Sequence, residues 1–221
     1  QVIKEIAELN DFGINEMSSL EILTRLRQAT IHPQLVIDGY SKKLNKAFKK
    51  ARVENSTKMQ YIVSTIKVER RKTIIFCLYK LEMTMFESML REEGFKTARI
   101  DGSVGAEKRS ELLENMNIDV MIVQIVAGGT GLNMTQFNRV FITSPSWNPC
   151  IECQAIARAH RIGQVNPVKV TVVIIKSKRT STIDENIIRI QEDKKEMICD
   201  VLDDDTCFIK GKINARMPNI M

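Results

Sequence analysis

The sequence predicts an α/β fold: a parallel sheet covered by helices on both faces, with a helical extension before it and one more helix after it. Three observations predict this. Short apolar runs, KTIIFCL at 72–78, VMIVQI at 120–125 and KVTVVII at 169–175, have the length of buried strands. Between them lie segments with helically spaced apolar residues, and strands separated by helices pair in parallel with both faces covered. The turns that close the strands are rich in Gly, Asp, Ser, Asn and Pro. In such sheets ligands meet the loops at the carboxyl ends of the strands, so these turns should converge on one rim.

The elements follow in order. Residues 1–30 read as helix, with Leu20, Leu23, Leu26 and Arg27 in a helical repeat, Ser18 or Ser19 as N-cap and Glu21 in the first turn. His32-Pro33 breaks it, and a basic stretch of linker or helix runs to about residue 57. A helix is predicted over 59–68, a strand over 72–78 and an amphipathic helix over 81–93 that ends at Gly94. A strand over 97–100 runs into the Asp101-Gly102-Ser103 turn, followed by a helix over 106–116 and a strand over 120–125. The Ala127-Gly128-Gly129-Thr130-Gly131 loop comes next, then a strand over 140–143. The segment QAIARAHRIGQ at 154–164 reads as a short helix closed by Gly163, and the last strand spans 169–175. Residues 182–202 form a final helix with Ile183, Ile187, Ile190, Met197 and Val201 on one core-facing stripe. The chain thus divides into an extension with a basic linker (1–57), the sheet domain (58–180) and a closing helix with its tail (181–221).

With 221 residues, 43% hydrophobic and 27% charged, the chain suits one domain with appendages. No apolar run approaches the ~18 residues of a membrane span, and no signal peptide opens the chain, so no membrane is expected. Five cysteines at irregular spacing argue against a disulfide framework and for a reducing, intracellular compartment. Cys150 and Cys153 stand alone as a CxxC in a chain with two histidines, and are read as structural or incidental. A first residue of Gln1 suggests a piece of a longer protein. The net charge of +6 is uneven: Lys42, Lys43, Lys46, Lys49, Lys50, Arg52 and Lys58 cluster early, while Asp203, Asp204 and Asp205 lie near the end. The basic cluster suits a phosphate backbone and a solvated linker equally well.

Arg158 and Arg161 carry the sharpest chemical signal. Three residues apart on a helix, they would share a face, and the planar guanidinium fork matches polyphosphate oxygens. A solvated face is the ordinary explanation of such a pair, but the neighbouring glycine and Trp-Asn-Pro turns favour a site. The chain has no G-x-x-x-x-G-K-[ST] phosphate loop and no Walker-type acidic pair. It therefore lacks the parts that hold a β-phosphate and magnesium, whereas its arginines resemble fingers that complete such a site from outside. That combination points to half of a bipartite ATPase. Gly128, Gly129 and Gly131 either let backbone N–H groups approach a phosphate or serve chain geometry alone. Trp147, the one tryptophan, is either a core anchor or a stacking surface for nucleic acid.

Taken in order, the run at 72–78, Arg99-Ile100-Asp101-Gly102-Ser103, Ala127-Gly128-Gly129-Thr130-Gly131-Leu132-Asn133, Trp147-Asn148-Pro149, the 154–164 segment, and Asn166-Pro167-Val168 with Val170 resemble one family. It is the C-terminal RecA-like (helicase C) lobe of the Swi/Snf family of ATP-dependent DNA translocases, in helicase superfamily two. The resemblance covers roughly residues 60–200, and His160-Arg161-Ile162-Gly163-Gln164 with Trp-Asn-Pro is its most specific part. LTRLRQATIHP at 23–33 and Gly131-Leu132-Asn133-Met134-Thr135 resemble the branch of the helicase-like transcription factor and termination-factor-like ATPases.

The resemblance implies a motor of two lobes that close on ATP with Mg2+. An N-terminal RecA-like lobe would hold the nucleotide, 1–57 would link the lobes, and 181–221 would form a brace. It implies Arg158 and Arg161 as catalytic arginine fingers, and Gln154, Gly128, Gly129, Gly131 and Gln164 at the ATP. Lys80, Asp101, Gly102, Ser103, Trp147 and Asn148 would face DNA. The implied partners are duplex DNA, the N-terminal lobe, and nucleosomes or DNA-bound proteins, with a nuclear location and a role in chromatin remodelling. This chain by itself is expected to hydrolyse no ATP. One departure stands out: Gln124-Ile125-Val126 occupies the place where the family commonly has Ser-Thr-Arg or a similar triplet, which removes a DNA-facing arginine. Two other readings are an RNA helicase lobe, against which the His-Arg-Ile-Gly-Gln ending counts, and a non-catalytic lobe that binds DNA or protein, favoured by the Gln-Ile-Val triplet.

Overall fold

The computed structural model describes residues 18–44, 56–127 and 131–202. The readings made for 1–17, 45–55, Gly128, Gly129, Thr130 and 203–221 lie outside the described residues. Ser18 accepts a hydrogen bond from the Glu21 N–H and starts α1 (Ser19–Ile31); His32 ends it and Pro33 opens α2 (Pro33–Leu44). Ser56 caps α3 (Thr57–Glu69) through the Met59 N–H. The α/β body follows as β1 (Thr73–Cys77), α4 (Lys80–Glu92), β2 (Thr97–Ile100), α5 (Ala106–Glu114), β3 (Val120–Gln124), β4 (Arg139–Ile142), α6 (Pro149–Ile156) and β5 (Lys169–Val172). The last helix is α7 (Ile183–Leu202). Gly94 ends α4 with φ of 81°, a left-handed conformation that glycine adopts without steric cost.

All five strands are parallel, in the order β2-β3-β1-β4-β5. Their registers are flush: Val123 of β3 lies beside Phe76 of β1 and Ile100 of β2, and Ile142 of β4 beside Phe76 and Val172 of β5. The alternation of side chains along each strand sends Ile74 and Phe76 to one face and Ile75 and Cys77 to the other. On the first face they meet Met121, Val123, Val140 and Ile142, with Leu112 of α5 and Ala155 of α6 packed over them. On the second, Met59, Ile62 and Ile66 of α3 and Met83, Phe86 and Leu90 of α4 close the layer. This is the predicted α/β sheet with helices on both faces.

Two expectations need correction. The stripe on α7 is buried at Ile183 and Ile187 but Met197 is 66% exposed, so Met197 is not a core-facing residue. The predicted helix over 154–164 is instead α6, which starts at Pro149 and ends at Ile156. Asn148 and Pro149 supply the start signal, with the Asn148 side chain accepting from the Cys150 N–H at 3.0 Å.

One buried ion pair ties the appendages to the sheet. Lys58, in the first turn of α3, is 2% exposed and reaches Asp184 at the start of α7 at 2.8 Å. The same ammonium donates to the Thr143 carbonyl, at the exit of β4, at 2.9 Å. Asp184 also accepts from the Thr30 hydroxyl of α1 at 3.1 Å and from the Ile175 N–H, after β5, at 3.0 Å. Burial draws the Lys58 pKa below the ordinary lysine value, with Asp184 opposing it. Removing either partner strands a buried charge, at a cost of about 3–5 kcal/mol. Urea unfolding of Lys58→Met and of Asp184→Leu is expected to show losses of that size, while the double variant loses clearly less than their sum. Additive losses would mean that the pair does not act as a unit.

Candidate functional site

Because the registers are flush, the residues after each strand emerge along one edge. After β1, the Glu82 side chain is fully buried and accepts from the N–H groups of Leu78 at 2.9 Å and Tyr79 at 3.1 Å. Burial pushes its carboxyl pKa up, with those hydrogen bonds and the one from Thr143 acting against the rise. This fixes the turn from which Lys80 projects, exposed, 3.4 Å from Asp101. After β2, Gly102 and Ser103 are exposed but Asp101 is only 4% exposed. Its carboxylate accepts from the Ser103 N–H at 2.8 Å and from the Ser103 hydroxyl, and pairs with Arg99 at 3.0 Å. The Ser103 hydrogen bonds, with Arg99 and Lys80 adding to them, hold the Asp101 pKa well below the usual carboxylate range.

After β3, the Ile125 N–H returns to the Cys77 carbonyl at 2.9 Å and Val126 is 73% exposed. Of the loop's three glycines only Gly131 is described; it is exposed, with φ of 60°. After β4 the chain turns through residues 143–148, where Trp147 is half-buried, with the Arg27 guanidinium 5.9 Å from its ring centre.

The arginine segment lies elsewhere. Beyond α6 the backbone continues in turns: the N–H groups of Arg158, Ala159 and His160 donate to the carbonyls of Ala155 and Ile156. Arg158 and Arg161 therefore do not share the face of an α-helix, which corrects the sequence reading. Gly163, with φ of 100°, reverses the chain. Gln164 then pins it. Its amide donates into the carbonyls of Thr135 at 2.9 Å, Phe137 at 3.0 Å and Ala159 at 3.2 Å, and its oxygen accepts from the Asn166 N–H at 2.9 Å. The Met134 N–H adds a bond to the Arg158 carbonyl at 2.9 Å. Phe137 lies two residues before β4, and the Lys169 N–H that opens β5 donates to the Asn138 carbonyl. The segment has thus returned toward the amino edge of the sheet, away from the strand-end turns. Arg161 is exposed and forms no ion pair with any described residue, while Arg158 is half-buried.

Residues 57–163 match the family model for the helicase conserved C-terminal domain. The ATP-dependent helicase rhp16 of Schizosaccharomyces pombe is 32% identical over 160 residues, 68% of this chain and 18% of that protein. The DNA repair protein rad8 of the same yeast is 38% identical over 130 residues, 57% of this chain and 11% of that protein. The human helicase-like transcription factor is 33% identical over 132 residues, 57% of this chain and 13% of that protein. This chain is a helicase C-terminal lobe of the Swi/Snf type. The crystal structure of the C-terminal part of the Fun30 ATPase domain shares its fold, with a TM-score of 0.58 and 25% identity over 80% of this chain and 55% of that one. The lobe spans less than a fifth of the length of these curated relatives.

The lobe brings Lys80, Asp101, Gly102, Ser103, Trp147 and Asn148 to one rim, and Arg158, Arg161 and Gln164 to a second surface, with Gln154 exposed on α6 between them. Gly128 and Gly129 lie outside the described residues. Three of the predicted contacts are engaged by the chain's own backbone: Asp101 holds its own turn, Asn148 caps α6 and Gln164 staples three backbone segments. Cys77, Cys150 and Cys153 are free thiols, and among the described residues no His, Cys, Asp and Glu group of three or more is placed to hold a metal. Sequence reasoning missed Glu82, Glu152 and Gln191, all buried polar residues. Glu82 follows Tyr79 by three residues, the spacing of a helix-start box, which was the only signal available.

For a carboxylate whose folded pKa is depressed, the stabilisation is present above the unfolded value, near 3.8, and is lost as pH falls toward the folded one. Asp101→Asn is therefore expected to lower Tm by a constant amount above about pH 5 and by progressively less in more acid solution. Thermal melts across that range check it, and a gap that widens on acidification would contradict it.

Proposed function

We propose that this chain is the second motor lobe of a DNA-dependent ATPase that translocates on duplex DNA and remodels chromatin or displaces DNA-bound proteins. In this reading an N-terminal RecA-like lobe holds ATP and Mg2+, and Arg158 and Arg161 reach them as arginine fingers when the lobes close. Residues 1–57 then link the lobes, 58–180 form the motor lobe and 181–221 the brace. The names of the relatives, an ATP-dependent helicase and a DNA repair protein among them, support the class of reaction.

The observation that carries the reading is the arginine segment itself. It leaves the helix, is pinned to the body by Gln164 and the Arg158 carbonyl, and presents Arg161 to solvent without a carboxylate partner among the described residues. A guanidinium carried on a pinned stretch of backbone, its charge unspent, fits the phosphate end of a nucleotide brought from outside. Gln154 and Gln164 flank it, the latter as the staple that sets its position. Gly128, Gly129 and Gly131 line the cleft in this reading. On the other edge, Lys80, Gly102, Ser103 and Trp147 face the DNA backbone, while Asp101 and Asn148 hold the turns that present them.

An arginine finger contributes roughly a thousandfold or more to turnover. In the two-lobed protein, Arg161→Ala is expected to lower duplex-stimulated ATP hydrolysis by about that factor, while the 221-residue chain alone hydrolyses none. A stimulated rate that survives Arg161→Ala would favour a lobe that only binds DNA or protein, a reading supported by the exposed Val126.

A further inference from the structure

The turn that carries Trp147 is gripped from two sides by helices that lie outside the strand-end motifs. Three consecutive backbone carbonyls are taken by side chains. The Pro145 carbonyl accepts from the Arg27 guanidinium of α1 at 2.5 Å, the Ser146 carbonyl from the Gln191 amide of α7 at 2.5 Å, and the Trp147 carbonyl from the Lys194 ammonium of α7 at 2.9 Å. Arg27 also lies 3.5 Å from the Ser144 hydroxyl and over the Trp147 ring at 5.9 Å. The turn is joined to α6 as well: Glu152 accepts from the Ser146 N–H at 2.6 Å and from Gln191 at 2.5 Å.

Gln191 is 2% exposed and Glu152 7%, so these bonds are made away from water, where a lost partner leaves an unsatisfied group. Lys194 is exposed and contributes less. Simple docking of α1 and α7 does not require this arrangement. Apolar side chains such as Ile31 and Ile187 already seat both helices, and the Lys58–Asp184 pair joins them to the sheet. What the polar set adds is a fixed backbone path at the one turn that bears the tryptophan, and a hydrogen-bonded link from that turn into α6. Four residues after Glu152 the helix ends, and the arginine segment begins.

We propose that Arg27 and Gln191 are positioning residues that hold the 144–147 turn so that Trp147 meets duplex DNA, and that Glu152 carries the setting of that turn through α6 to Arg158 and Arg161. Neither residue touches nucleotide or DNA; both act through the turn. The inference rests on the motor reading and names the device by which DNA engagement is coupled to turnover.

The test uses the two-lobed protein with a short random-sequence duplex. Arg27→Met and Gln191→Met each remove the hydrogen bonds and keep side-chain bulk. Each is expected to raise the duplex concentration for half-maximal ATPase stimulation about tenfold, with the KM for ATP unchanged. Arg27→Lys, which keeps a cation over the ring and one donor for Pro145, is expected to recover most of that loss. In the 221-residue chain Trp147 is the single tryptophan, so its emission reads the turn directly. It should shift to longer wavelength in Arg27→Met and stay near the parent value in Arg27→Lys. Unchanged half-saturation in both methionine variants, with Arg161→Ala abolishing stimulated turnover, would overturn the clamp and leave the motor reading standing. Persistence of stimulated turnover in Arg161→Ala would remove the reading on which the clamp rests. A parallel rise in the KM for ATP, or no recovery in Arg27→Lys, would assign Arg27 to general stability and overturn the inference.

Discussion

Lys58 and Asp184 carry opposite charges into the interior at the point where three parts of the chain meet the sheet. Desolvating a lysine and a carboxylate costs several kcal/mol each, and only a short, well-satisfied pair offsets that. Here the ammonium has the Thr143 carbonyl as a further acceptor, and the carboxylate has the Thr30 hydroxyl and the Ile175 N–H as further donors. The consequence is positional. α1, α3, α7 and the exits of β4 and β5 share one junction, so α1 and α7 are placed relative to the strand-end rim. The grip of Arg27 and Lys194 on the Trp147 turn and the docking of Gln191 presuppose this placement.

From that junction two surfaces follow, on opposite edges of one sheet. Flush parallel registers bring the turns after β1, β2 and β4 together. The parallel pairing of β4 with β5 forces the connecting chain to return, and this return carries Arg158 and Arg161 away from the rim. A lobe that meets two ligands, a nucleotide on one side and a nucleic acid on the other, needs such a separation. It also needs a path between them, and α6 is the one covalent element that starts at the Trp147 turn and ends at the arginines.

The sheet was legible because its signals are local. The apolar runs at 72–78, 120–125 and 169–175 contain β1, β3 and β5, although β5 closes at Val172, earlier than its apolar run. Ser18 and Gly94 mark helix ends as their backbone chemistry dictates. The QAIARAHRIGQ segment was misread in shape because alanine and isoleucine favour helix, whereas the carbonyls of Thr135 and Phe137 draw Gln164 into tertiary bonds that favour turns. Asp101 looked like a surface contact because a carboxylate in a Gly-Ser turn carries no sign of burial. Nothing local marked Arg27, Glu152 and Gln191 for this role: their partners lie 118, 6 and 45 residues away, and only folding brings all three side chains to the same turn.

In the proposed reading this lobe works on duplex DNA as one half of a two-lobed ATPase. The most direct measurement is the ATP hydrolysis rate of the two-lobed protein with no nucleic acid, with duplex DNA, with single-stranded DNA and with RNA at matched phosphate concentration. The duplex is expected to stimulate strongly and RNA little. Stimulation by RNA alone, or an equal rate under all four conditions, would contradict that reading.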